Sequence, residues 1–105
     1  MEIIKMNEIR GQKNKRGVIA KPILKHSHAQ VMNLVLEPGN VVPEHSVPVD
    51  VFFYIVEGKG TLQIGEEKAI VEATNIISCP PNTKMSLIAD QGERFVVLNV
   101  KTPSL

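Results

Sequence analysis

The chain of 105 residues has no tryptophan, a single cysteine and only four aromatic residues, and it carries almost no net charge. Each shortage excludes something. One cysteine, Cys79, cannot close an internal disulfide, so a disulfide-stapled scaffold is ruled out and the sequence fits a reducing compartment, the cytoplasm. No window approaches the roughly 20 apolar residues of a membrane span, and the N-terminus has no apolar run of signal-peptide length. Twelve basic residues stand against eleven acidic ones, a net charge of +1, which supplies no field to recruit nucleic acid or a membrane surface. A chain of this size is read as one domain, residues 1–105, with one core and much surface left exposed, so association into a homodimer is expected.

What is present is unevenly spread. Seven basic residues, Lys5, Arg10, Lys13, Lys15, Arg16, Lys21 and Lys25, fall in residues 1–25, opposed only by Glu2 and Glu8. No aromatic residue is interleaved there to stack on a base, so this stretch reads as a solvated, partly mobile leader. Three of the four aromatics adjoin one another at Phe52, Phe53 and Tyr54. One strand therefore carries most of the aromatic content.

Beyond the leader, short apolar runs recur between turn residues. The pattern predicts strands over Val31–Leu36, Val41–His45, Val51–Val56, Thr61–Ile64, Lys68–Val71, Ile76–Cys79, Met85–Ala89 and Phe95–Val100. Pro38-Gly39-Asn40, Gly58-Lys59-Gly60, Gly65-Glu66-Glu67, Pro80-Pro81-Asn82 and Asp90-Gln91-Gly92 separate them, and Asn82 suits a left-handed backbone. No segment has a helical period. Many short strands at close spacing specify an all-β sandwich or barrel, and closing it as a jelly roll removes exposed edges.

Residues 38 to 60, PGNVVPEHSVPVDVFFYIVEGKG, place a histidine and a carboxylate just ahead of the apolar strand and its glycine turn. This run resembles the first motif of the cupins, small β-barrel proteins with the pattern G-x5-H-x-H-x(3,4)-E-x6-G, in Gly39, His45, Asp50, Gly58 and Gly60. The second cupin motif, G-x5-P-x-G-x2-H-x3-N, survives as a frame around Ile76 to Asn82. The resemblance spans residues 31–100 and implies a double-stranded β-helix.

It also implies a site, and here the chain departs from the pattern. Val47 stands where the second metal histidine belongs, Met85 where the third belongs, and Asp50 is taken in place of the glutamate. Metal-binding cupins use three histidines and a glutamate to hold one divalent transition metal, whether iron, manganese, nickel, copper or zinc. This chain offers His45 and Asp50, with His28 as a candidate third ligand because His26 and His28 lie two apart on an extended segment.

Two functions compete. One is a small-molecule-binding barrel with at most a weak metal site, its pocket formed by His45, Asp50, Phe52, Tyr54, Met85, Val47 and Met32. The other is a metal-dependent enzyme of dioxygenase, isomerase or decarboxylase type, or a metal-free one with His45 as acid or base and Tyr54 orienting a substrate oxygen. Cys79, with no basic neighbour in sequence, reads as a buried hydrophobe.

Overall fold

The computed structural model describes residues 1–105. After a short 3-10 turn at Met6–Glu8 come ten strands: β1 (Gln12–Lys13), β2 (Ile19–His26), β3 (Ala29–Leu36), β4 (Val41–His45), β5 (Asp50–Glu57), β6 (Lys59–Ile64), β7 (Glu67–Glu72), β8 (Ile76–Cys79), β9 (Met85–Ile88) and β10 (Phe95–Thr102). All pairings are antiparallel. They form a six-stranded sheet in the order β1-β2-β3-β10-β5-β8 and a four-stranded sheet in the order β4-β9-β6-β7. The result is an all-β jelly roll, the double-stranded β-helix that the motif resemblance implies. No helix is long and apolar enough to cross a membrane.

Alternation decides which residues fill the space between the sheets. On β10, Phe95, Val97, Asn99 and Lys101 share one face, since successive side chains on a strand point to opposite sides. Their partners across β3 are Leu36, Leu34, Met32 and Gln30, and across β5 Val97, Asn99 and Lys101 meet Ile55, Phe53 and Val51. Leu36, Val51, Phe53, Ile55, Phe95 and Val97 pack with Leu62, Val71, Met85 and Leu87 of the four-stranded sheet in one buried cluster. Burying each of the large aliphatic and aromatic side chains contributes on the order of 1.5–3 kcal/mol. The complementary row, Phe52, Tyr54, Leu98 and Val100, lies on the outer face.

Two connections, residues 46–49 between β4 and β5 and residues 80–84 between β8 and β9, cross from one sheet to the other at the same end of the barrel. They are tied together where the Asn82 amide donates to the Val47 carbonyl at 2.7 Å. Asn82 has φ 58°, the left-handed conformation its side chain tolerates. Cys79, buried at the start of the second crossing, has its thiol 3.6 Å from both the Pro80 and Thr83 carbonyls. Burial pushes that thiol's pKa up.

The basic leader keeps most of its basic side chains exposed but enters the sheet. Lys13 lies in β1, and Lys21 and Lys25 lie in β2, which runs beside β3 for the whole of its length. The sheet thus begins well before residue 31. Pro22 and the intervening lysines disguise this strand in sequence; the pairing accommodates them with a register shift between Pro22 and Leu24.

Candidate functional site

The barrel end with both crossings gathers most of the sequence candidates, but on different faces. His45 closes β4 and pairs with Met85 of β9, so both stand on the inward side; Met85 is fully buried while His45 is exposed at the rim. His45 Nδ1 lies 3.0 Å from the Pro43 carbonyl oxygen. A carbonyl only accepts, so this contact places the proton on Nδ1 and leaves the Nε2 lone pair free. Val47 packs against the core from the crossing.

Asp50, Phe52 and Tyr54 are corrected as pocket residues. They occupy the outer face of β5, in phase with Thr102, Val100 and Leu98 of β10, and Phe52 is 37% exposed. The inward set of β5 is Val51, Phe53 and Ile55, exposed by 3%, 0% and 0%. The physical reason is the period of two: a carboxylate one residue out of phase points away from the barrel. The spacing of the cupin motif carried this signal, since six residues before Gly58 falls after Val51, not after Asp50. Tyr54 consequently cannot orient a group held inside.

His28 is also corrected as a ligand. It sits in the tight turn joining β2 to β3, not on a strand, and its backbone N–H donates to His26 Nδ1 at 3.1 Å. The two rings meet edge to face with centroids 6.2 Å apart. With His26 Nδ1 occupied as an acceptor, the pair does not present a two-nitrogen chelate.

A divalent metal therefore finds little to bind. Three of the four positions the cupin pattern reserves for ligands are Val47, Val51 and Met85, and no three His, Cys, Asp or Glu side chains are grouped to hold a metal. One imidazole and one buried thioether do not make a first-row coordination sphere. The residues present do not fit the metal that cupins often carry.

Two inward residues were not singled out in the sequence. Asn99 and Lys101 continue the core face of β10 toward the barrel end, with Asn99 only 5% exposed. Lys101 Nζ donates to Asn99 Oδ1 at 3.0 Å. Burial pushes the Lys101 pKa down from the ordinary lysine value. The run Phe95-Val96-Val97-Leu98-Asn99-Val100-Lys101 did hold a signal: its two polar residues are in phase with Phe95 and Val97, the buried side of a predicted strand.

Beside them, on the inward face of the sheet, a concavity of about 440 Å³ is lined by Arg10, Gln12, Ala20, Pro22 and Met32. Met32, one of the sequence candidates, lines this concavity and is the β3 register partner of Asn99. A second cleft of about 350 Å³ opens between the edges of β7 and β8, lined by Leu62, Ile64, Val71, Ile76 and Ile77 among others. None of the sequence candidates reaches it.

The cupin domain model matches residues 32–101. The chain belongs to the cupin family, and the jelly roll seen here is that family's fold. Among solved structures, it is similar to KdgF from a Halomonas species, with 17% identity, TM-score 0.90, and coverage of 100% of this chain and 96% of that one. A predicted oxalate decarboxylase from Thermotoga maritima matches with 19% identity, TM-score 0.88, and coverage of 98% and 100%. The polyketide cyclase RemF from Streptomyces resistomycificus matches with 12% identity, TM-score 0.86, and coverage of 97% and 79%. No curated protein matches the chain. At these identities the likeness establishes the fold alone, and the differing activities named for these structures show how many chemistries one barrel supports.

Proposed function

We propose that this cupin is a small-molecule-binding protein whose ligand lodges in the concavity on the inward face of β1, β2 and β3, against Met32. The observation that carries this reading is the contrast between the barrel end and its flank. Val47, Val51 and Met85 fill the family's metal position with hydrocarbon and thioether, while the adjacent concavity keeps about 440 Å³ open with an apolar floor and a few polar groups on its walls. That volume is in the range of small-ligand pockets. An adaptable thioether at Met32 suits an apolar ligand body.

The metal-dependent alternative has its donor set unmet, and no reaction step is assigned. The single buried thiol is consistent with a reducing, cytoplasmic setting. The outer row of β5 and β10, with Phe52 and Tyr54 beside Leu98, Val100 and the 67% exposed Ile76, supports self-association through this face as a homodimer.

The site is tested by thermal unfolding against a chemically broad panel of small molecules. Compounds that raise the melting temperature of the parent protein but not of Met32→Trp, whose indole intrudes on the concavity, support the reading. A panel that stabilises both proteins equally places binding elsewhere. A parent that responds to nothing in the panel points to a structural role for a filled barrel.

A further inference from the structure

Lys101 takes part in no ion pair of the protein. Those pairs are Lys59 with Glu72, Lys84 with Glu44, and Arg94 with Glu37, all near the surface. The neighbours of Lys101 on the same face of the sheet are Asn99 along β10, Gln30 across β3 and Val51 across β5, and none is acidic. Gln30 is already engaged, its Oε1 accepting from the Leu105 backbone N–H at 3.1 Å. Asp50, the nearest carboxylate in β5, faces the opposite side of the sheet. A half-buried ammonium held by one amide oxygen loses hydration without gaining a partner charge, a costly arrangement unless something anionic completes it.

Asn99 points to the same missing group. Its Oδ1 is taken by Lys101, and its Nδ2 makes no hydrogen bond within the protein. Every fully buried side-chain nitrogen and oxygen has a partner, so the unpaired Nδ2 is not fully buried although Asn99 as a whole is only 5% exposed. Lys101 and Asn99 thus offer adjacent N–H donors, one of them charged. The concavity carries the pattern onward: Arg10 lines it, no acidic residue does, and its floor of Ala20, Pro22 and Met32 is apolar. Met32 is the direct register partner of Asn99.

We infer that the ligand of this site is a small organic carboxylate with an apolar body, its carboxylate met by the Lys101 ammonium and the Asn99 amide N–H, with Arg10 contributing attraction from the wall of the concavity. The inference rests on the proposed binding site and specifies its chemistry. Two oxygens on one carbon match two donors supplied by residues two apart on a strand, and the charged donor makes the bond to the anion stronger than one to a neutral oxygen. Ala20, Pro22 and Met32 would cover the hydrocarbon part. Burial that lowers the Lys101 pKa still leaves an amine that an incoming anion re-stabilises in its charged form.

The test is calorimetric titration of the full chain at neutral pH with benzoate and hexanoate, with benzyl alcohol and hexanol as neutral counterparts, and with inorganic phosphate. The expected result is binding of the carboxylates about tenfold or more tightly than the alcohols. Lys101→Met is expected to erase that preference while leaving the weak alcohol binding in place, and Lys101→Arg to retain part of it. Arg10→Ala should weaken carboxylates a fewfold with increased salt sensitivity, since it acts on the anion through the wall charge. Circular dichroism of each variant confirms that it is folded. Equal affinity for carboxylate and alcohol would overturn the carboxylate assignment and leave the binding site standing. Phosphate binding as tightly as benzoate would overturn it in favour of anions in general. Binding of no probe, by a folded parent protein, would remove the carboxylate inference, and the broad-panel thermal experiment then decides the site separately.

Discussion

The backbone carbonyl of Arg94 occupies the space where a β-carbon on Gly58 would stand. Gly58 also has φ +80°, a conformation that side chains other than glycine's seldom adopt. The glycine turn that ends β5 is thus fixed twice, by backbone angle and by the strand entering β10. Two residues on, Gly60 meets the ring of Phe95, where a β-carbon would lie 2.5 Å from its edge.

Gly58→Ala is therefore expected to destabilise the barrel by more than about 2 kcal/mol, against well under 1 kcal/mol for an exposed and unstrained alanine substitution. Urea unfolding followed by circular dichroism measures it. A loss below about 0.5 kcal/mol would mean that the turn relaxes freely and that the approach of Arg94 is not required by the fold.

The Lys101 amine links stability to pH. The folded protein disfavours its charged form, so the unfolded chain binds the proton more readily. The cost is fully present below the lowered folded-state pKa. It is relieved as pH rises through that value toward 10.5, the value from which it is lowered. Lys101→Met should accordingly be more stable than the parent at pH 7, by about 0.5 kcal/mol once solvent screening of a half-exposed amine is allowed for, and this advantage should shrink at pH 10. Denaturant midpoints at the two pH values give the comparison; an advantage that stays constant would show that it comes from packing and not from the charge.

For the outer face of β5, Phe52→Asp should convert the proposed homodimer into a monomer while leaving unfolding nearly unchanged, because Phe52 is 37% exposed and stands outside the core cluster. Sedimentation equilibrium of parent and variant reads the mass directly. A parent that is already monomeric at micromolar concentration would withdraw self-association through this row.

The strands were the most legible part of the molecule. Val41–His45 and Ile76–Cys79 form where the apolar pattern placed them, and the strand expected at Val51–Val56 extends by one residue on either side. The turn residues punctuate them as their backbone preferences require, down to the positive φ of Asn82. What escaped was β2, where Lys21, Pro22 and Lys25 hide an eight-residue strand whose pairing is made by backbone groups that the sequence pattern does not reveal. The site was legible in frame and misread in phase. Asp50 and Val51 differ by one residue and by opposite sides of a sheet; the motif spacing from Val47 and to Gly58 reaches Val51, and the carboxylate at Asp50 drew the reading one residue out of phase. Asn99 and Lys101 were passed over because a polar residue near a strand end reads as exposed until its neighbours Phe95 and Val97 fix the inward phase.

Strand β10 lies between β3 and β5, hydrogen-bonded along both edges, and its amides should be among the last in the protein to exchange with solvent. The donors proposed to meet the carboxylate thus stand on a strand paired on both sides, not on a loop. Recognition there would proceed as insertion into a ready-made shape, with little ordering of the backbone to oppose it. Occupancy would register chiefly as slower exchange along a strand that is already slow, leaving the crossings at the barrel end free to breathe.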